Sequence, residues 1–536
     1  MKQGLQLLDY VVFFIYFIGV SSYGFWIYKK KSSKESSSTD YFLAEGSLTF
    51  WAIGASLIAS NISAEHFIGM SGSGFAIGLA IASYEWMAAA TLVVVAVFFV
   101  PIYLKNKIYT MPQFLRQRYN PVVATTMAVF WLLLYVFVNL TSILYLGALA
   151  LEVTAGIDFT WAIGALAVFA IIITVGGMKV IGYTDVIQVV VLIAGGLVTT
   201  YLAMDLVAKQ FGNPNVFSAF GTLKAQAEPH FHMILKKDNP YYKDLPGLSV
   251  IIGAMWINNL NYFGCNQYII QRTLGASLPT ARKGLLFAAG LKLIIPIIVV
   301  IPGIAAYVLF QNGMFQTEML DANGIVKPDH AYPVLLDLLP SGLKGMAFAA
   351  LTAAIVASLA GKANSISTIF TLDIYREYIK PDATEKHLIR VGRYAIWTSM
   401  GIAALIAPQL RVLEQAYQFI QEYSSFITPG VFAIFFLGFF WKRTTGNAAL
   451  IAALLTIPLS TAFKFWYEEI PFLNRMGIIF LILVAVIVLV TLLDPKSKNN
   501  PKGLEIDRSM FKVSTGFMIT SILIFGILGA LYTVFW

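Results

Sequence analysis

Long apolar runs alternate with short, often basic connections from one end of the chain to the other. The first run, "LDYVVFFIYFIGVSSYGFWIY" (residues 8–28), is as long as a helix that crosses a bilayer, and about 14 such runs follow one another along the sequence. The pattern predicts an all-α polytopic membrane protein with about 14 transmembrane helices. No basic stretch precedes the first run, no small-residue cleavage site follows it, and "KKKSSK" comes after it. It therefore reads as a retained first helix with its N-terminus outside. Most of the 37 Lys and Arg residues then fall in or beside the inner connections 29–47, 106–119, 178–183, 272–283, 376–390, 442–445 and 494–513, which places both termini outside.

Two of the runs are interrupted. The second reads "ASLIASNISAEHFIGMSGSG" and the seventh "GAMWINNLNYFGCNQYII". A span packed only by apolar contacts needs neither "NISAEH" nor "NNLN", and backbone unwinds at membrane depth only where it is buried in protein or lines a cavity. Five spans separate the two breaks, the spacing of two five-helix repeats of inverted topology that each begin with a broken helix and enclose a solute and ion site near the midplane. The division this predicts is a leading helix and linker over 1–47, a first repeat over 48–247, a second over 248–445 and three peripheral helices over 446–536.

Composition narrows the picture. With 58% hydrophobic and 12% charged residues the chain cannot cover a soluble surface of this size. Its formal charge of +9 is what basic inner loops produce, so nucleic acid is not expected as a partner. The single cysteine, Cys265, excludes an intrachain disulfide and any cysteine metal site. "NIS" at 61 and "NLT" at 139 match the glycosylation pattern but fall inside apolar spans.

Ionisable residues inside spans are functional candidates: here Glu65, His66, Glu85, Asp185, Lys292, Lys362 and Glu422. Asn61, Asn139, Asn259, Gln421, Tyr84, Tyr135, Tyr262 and Tyr417 accompany them. Donors, acceptors and flat rings together suit a sugar, whose hydroxyls both donate and accept and whose ring has an apolar face. Neither paired catalytic carboxylates in a soluble module nor a nucleotide-binding loop appears, so an enzyme is not expected.

The segments "ASLIASNISAEHFIGMSGSGFAIGLAIASYEWM" (55–87), "YVFVNLTSILYLG" (135–147), "YTDVIQV" (183–189), "NQYIIQRTL" (266–274), "FAAGLKLIIPIIVVIPGIAAY" (287–307), "NSISTIFTLDIY" (364–375) and "QAYQFIQEYSSFITPG" (415–430) closely resemble the sodium:solute symporter family, above all its sugar-carrying members. The resemblance spans nearly the whole chain. It implies the LeuT-type inverted five-helix repeat, with one helix before the ten-helix core and three after it. It also implies sugar contacts from His66, Glu85, Asn259, Lys292 and Gln421, with Asn61, Tyr135 and Asn139 nearby. Tyr262 matches the inner gate, and Met70, Tyr84 and Tyr417 match the outer gate.

The resemblance further implies a sodium ion held by carbonyls of Ala59, Ile62 and Ala354 and by hydroxyls of two adjacent serines. Here those two positions are Ala357 and Ser358, so one oxygen is lost from a site for a hard cation. Four residues on, and therefore on the same helix face, stands Lys362, where the family usually carries an apolar residue. Lys362 is expected to pair with Asp185 along the ion path. In that position its ammonium could stand in for sodium, exchange protons, or simply reach inner water. The expected function is secondary-active transport of a glucose- or galactose-like monosaccharide across the plasma (inner) membrane, with sodium as the expected coupling ion. Sodium-independent or proton-linked transport, a different solute such as an inositol, and a sugar sensor on the same fold stay open. The lipid bilayer and the sugar are the expected partners, with no obligate protein partner.

Overall fold

The computed structural model describes residues 5–31, 48–108, 110–174, 178–321, 324–412, 416–504 and 506–536. Most of the expected inner linker, residues 32–47, lies outside the described residues. The described chain is helical almost throughout, with a single isolated β-bridge between Leu320 and Val326. Among the described residues nine helices are long and apolar enough to span a bilayer, ten if one bent pair is counted as a single span. Leu7–Val20, Phe50–Asn61 and Phe159–Thr174 form shorter apolar helices.

In chain order the helices that form the bundle are α1 (Leu7–Lys31), α2 (Phe50–Asn61), α3 (Ser71–Ala76), α4 (Ser83–Phe98), α5 (Pro121–Ala155), α6 (Phe159–Thr174), α7 (Met178–Gln210), α8 (Ala254–Gly264), α9 (Gln267–Leu274), α10 (Leu278–Gln311), α11 (Leu343–Ile379) and α12 (Glu385–Ile406). They are followed by α13 (Ala416–Ser424), α14 (Thr428–Phe440), α15 (Gly446–Trp466), α16 (Phe472–Leu493) and α17 (Thr515–Val534). α10 is the central post and packs against α2, α3, α4 and α7. α11, buried along most of its length, packs against α1, α6, α7 and α12. α13 and α14 meet at a 48° bend. On α17, Ile522 and Leu523 are exposed, as a lipid-facing peripheral helix requires.

Backbone-to-backbone contact fastens α10 to the broken helix. A methyl on Gly303 would stand 2.1 Å from the Ser71 carbonyl oxygen, and one on Gly74 would stand 2.8 Å from that of Val300. At the other end a methyl on Gly54 would meet the Gly284 carbonyl at 2.7 Å. Small residues at these points let two helices approach closely enough for dispersion contacts to hold them in lipid. Pro296 and Pro302 lie inside α10. Nearby carbonyls of Leu293 and Ile297 accept hydrogen bonds from Trp86 Nε1 (3.3 Å) and Thr200 Oγ1 (3.0 Å).

The segment between α7 and α8 folds over one end of the bundle. Its His230 ring stacks on Tyr307 with centroids 4.0 Å apart, and Nε2 lies 3.0 Å from the Phe75 carbonyl oxygen at the end of α3. Gly78 faces it at φ +92°, and a methyl there would stand 2.4 Å from the His230 carbonyl oxygen. Only glycine takes that conformation and that contact without strain.

Candidate functional site

The first interruption forms as the polar residues demand. α2 ends at Asn61, and Ile62 turns extended (φ −79°, ψ 116°). Ser63 then starts a new helix: its Oγ accepts from the Glu65 amide at 3.1 Å and its carbonyl from the His66 amide at 3.0 Å. Glu65–Met70 continues as a wide π turn into α3. The side-chain cap replaces hydrogen bonds that the break removes. The second interruption lies elsewhere than expected. "NNLN" is helical within α8, and the chain breaks instead at Cys265 and Asn266, the latter extended at φ −106°, ψ 123°. The α8 end is stabilised from outside, because Tyr103 Oη donates to the Gly264 carbonyl at 2.7 Å.

The two breaks face each other across a small, largely buried polar cavity. Asn61, His66, Glu85, Asn139, Asn259, Tyr262 and Gln421 line it, together with Tyr84 and Tyr417. Glu85 is buried between two cationic or donor groups. Its Oε2 accepts from Lys292 Nζ at 2.6 Å, and its Oε1 lies 3.3 Å from His66 Nε2. His66 Nδ1 accepts from the Ser63 amide at 3.5 Å, which leaves the proton on Nε2 to be donated to Glu85. Lys292 stands behind this wall, fully buried, and also donates to Asn61 Oδ1. Asn259 Nδ2 donates to the Tyr84 carbonyl at 3.5 Å.

At one end of the cavity the Tyr84 and Tyr417 rings meet edge to face at 5.4 Å. Tyr262 closes part of another wall: its hydroxyl accepts from Asn61 Nδ2 at 3.0 Å and hydrogen-bonds the Tyr268 hydroxyl on α9. Besides Lys292, two expected residues stand back from the lining. Met70 is buried in the π turn, and Tyr135 donates to Asn266 Oδ1 from behind Tyr268.

The expected cation ligands also converge in part. Ser358 Oγ lies 3.3 Å from each of the Ala59, Ser60 and Ile62 carbonyl oxygens. One hydroxyl proton cannot satisfy three carbonyls, so the cluster is rich in oxygen lone pairs, which is what a hard cation takes. Ala354 lies one turn earlier on the same helix, and Ala357 supplies no oxygen.

The expected pair of Lys362 with Asp185 does not form. Asp185 Oδ2 accepts from Ser56 Oγ at 2.6 Å, and Arg272 donates through Nε to the same Ser56 oxygen at 2.8 Å. Arg272 Nη2 lies 3.9 Å from Asp185. This fully buried arginine neutralises Asp185 from α9, a position that reads from sequence as the start of an inner loop. Lys362 instead lies 3.7 Å from Glu65 Oε2, on the cavity wall. Glu422 also departs from expectation: it faces away from the cavity, bound to Arg475 at 2.7 Å and Lys464 at 3.2 Å. Residues not singled out from the sequence, among them Asn258, Asn266, Tyr268, Ser424 and Thr428, complete the lining. For Asn258 the only advance signal is its clustering with Asn259 and Asn261 in one apolar run.

A buried polar chamber between two broken helices, inside a bundle of bilayer-length helices, defines a multi-pass membrane transporter and not an enzyme. The sodium:solute symporter family model matches residues 41–456. The chain belongs to the sodium:solute symporter family. It is 47% identical over its full length to a sodium/glucose cotransporter of Vibrio parahaemolyticus, covering 99% of that protein. It is 34% identical to the human sodium/myo-inositol cotransporter 2, over 87% of this chain and 72% of that one. Its fold is similar to that of a Na+-coupled sialic acid symporter in a substrate-bound outward-open state, with TM-score 0.78 at 23% identity, over 91% of this chain and 98% of that chain.

Proposed function

We propose that this protein is a secondary-active carrier of a neutral monosaccharide, working by alternating access across the plasma membrane with sodium as the co-transported cation. The observation that carries this reading is the charge balance of the cavity wall. Glu85 is matched by Lys292 and Glu65 by Lys362, so the chamber offers many hydrogen-bonding groups without a net charge to attract an ionic solute. Such a site fits a ligand that is rich in hydroxyls and itself uncharged. In this reading Glu85 accepts from ligand hydroxyls and Asn259 and Gln421 donate, while His66 and Lys292 hold Glu85 in place and turn a bond to the ligand when the site closes on it. The Tyr84–Tyr417 pair and Tyr262 close opposite ends, with Met70 supporting the first of them.

Sodium would be held by the Ala59, Ile62 and Ala354 carbonyls with Ser358. Its entry down the electrochemical gradient supplies about 2.3 kcal/mol per charge per 100 mV to the cycle. The two repeats would be 48–247 and 248–445, flanked by a leading helix and three peripheral ones. About 14 crossings would then put both termini outside. A cyclohexitol is the second reading, since it presents a similar ring of hydroxyls and a relative is named for myo-inositol transport.

Uptake of labelled glucose, galactose and myo-inositol into proteoliposomes, with an inward sodium gradient or with choline in its place, tests the proposal. Accumulation of one of these solutes above equilibrium only with sodium is the expected result. Binding without accumulation or counterflow would leave a sensor as the better reading.

A further inference from the structure

Two ion pairs stand at the cavity, Lys362 and Glu65 both on its lining and Lys292 behind Glu85, and they differ in a way that assigns them different work. Glu85 and Lys292 are in direct contact at 2.6 Å, within the usual range for a charge-assisted hydrogen bond. Glu65 Oε2 and Lys362 Nζ stand 3.7 Å apart, beyond the 2.7–3.2 Å of an N–H···O bond. Both members are nonetheless buried, where an ion pair is normally held by close hydrogen bonds.

The neighbours of this second pair hold each charge in place without closing the contact between them. Glu65 Oε1 accepts from Ser142 Oγ at 3.0 Å and Oε2 from Ser63 Oγ at 3.3 Å, so the carboxylate is held in place from behind. Lys362 Nζ lies over the Tyr268 ring, 5.2 Å from its centroid, which fixes the ammonium from one side. An ammonium has three donors, and these contacts do not use them all at bonding distance. A hydroxyl group placed beside the pair can accept from Lys362 and donate to Glu65 at once. Glu65 and His66 are consecutive on one helical turn, so their side chains leave the axis in different directions. A hydroxyl taken by Glu65 and Lys362 is therefore a different one from the hydroxyl that reaches His66 and Glu85.

We propose that Lys362 and Glu65 form a second hydrogen-bonding arm of the solute site, which bridges one ligand hydroxyl and determines which polyol is accepted. The proposal rests on the reading of the cavity as a site for a neutral hydroxylated solute. It gives Lys362 a role on the solute side of α11, while Ser358 one turn away serves the cation side.

The test is equilibrium binding at saturating sodium, with glucose and its monodeoxy analogues as ligands, for the wild type, Lys362→Met and Glu65→Gln. Thermal melting of each purified variant establishes that it folds. In the wild type, one monodeoxy analogue is expected to bind about tenfold or more weakly than glucose, the effect of losing a hydrogen bond to a charged group. Lys362→Met is expected to weaken glucose by a similar factor and to bind that same analogue as well as it binds glucose. Glu65→Gln is expected to blunt discrimination at the same hydroxyl. If Lys362→Met weakens glucose and every analogue by one common factor, or leaves all affinities unchanged, the lysine is a packing element and the inference fails while the sugar site stands. If the wild type binds none of these ligands, nor galactose or myo-inositol, the sugar reading fails and the inference falls with it.

Discussion

Glu85 and Lys292 hold each other at 2.6 Å in the interior of the bundle, and each is 3% exposed or less. Removing one partner of such a pair leaves an unmatched charge, at a cost of about 3–5 kcal/mol. Lys292→Met and Glu85→Gln are each expected to lower thermal stability and abolish solute binding. The double variant is expected to recover most of the stability and none of the binding. Melting curves and labelled-solute binding on the three proteins check this. Recovered binding in the double variant would mean that the pair supports the fold and touches no solute.

Ala357 leaves the proposed cation site one oxygen short. Ala357→Ser adds a hydroxyl next to Ser358, and hard cations bind more tightly as oxygen ligands are added. The sodium concentration giving half-maximal uptake is expected to fall several-fold in Ala357→Ser and to rise steeply in Ser358→Ala. An unchanged sodium dependence in both variants would place the ion elsewhere.

How far the site could be read from sequence depended on the kind of signal. Polar interruptions in apolar runs are conspicuous, and Asn61, His66, Glu85, Asn259 and Gln421 do converge on one cavity. The position of the second break was missed by a few residues. Asn258, Asn259 and Asn261 look like a break, yet they line one side of an intact helix, and the backbone yields at Cys265–Asn266. Pairing was the least legible feature. Asp185 offered a plausible partner for Lys362, but Arg272, assigned by hydropathy to a loop, is folded inward and occupies that role. Hydropathy reports depth along a helix axis and carries no information on which neighbouring helix faces a given charge.

His230 gives the covering segment a dependence on pH. Burial pushes its imidazole below the ordinary histidine value of about 6.5, an effect only partly opposed by the bond to the Phe75 carbonyl. The unfolded chain therefore takes up the proton more readily than the folded one. The stabilisation is fully present above about pH 6.5 and is lost as pH falls toward the lower folded value. The melting temperature is expected to drop more between pH 7 and pH 5.5 in the wild type than in His230→Gln. Equal drops would show that the ring titrates without consequence for this contact.

Gly303 has no room for a side chain. Gly303→Ala puts a methyl 2.1 Å from the Ser71 carbonyl oxygen, where only backbone movement can relieve the clash. A loss of about 3 kcal/mol or more is expected, seen as reduced yield and a lower melting temperature. Gly401→Ala, where a methyl would meet nothing within 4 Å, serves as the silent control.

The glycine contacts along α10 also tie one set of site residues to a single packed unit. Both halves of the interrupted helix are clamped to α10, one at Gly54 and the other at Gly74 and Gly303, so Asn61, His66 and Lys292 ride on a common block. Ser358 and Lys362 sit on a different helix, α11, against the interrupted helix. If the chamber opens first to one side and then to the other as proposed, the contact between the interrupted helix and α11 is where sliding would occur. On the proposed cycle, the grip of Ser358 on the Ala59, Ser60 and Ile62 carbonyls and the loose Lys362–Glu65 contact would be the bonds exchanged in each turnover, while the Glu85–Lys292 clasp would persist through it.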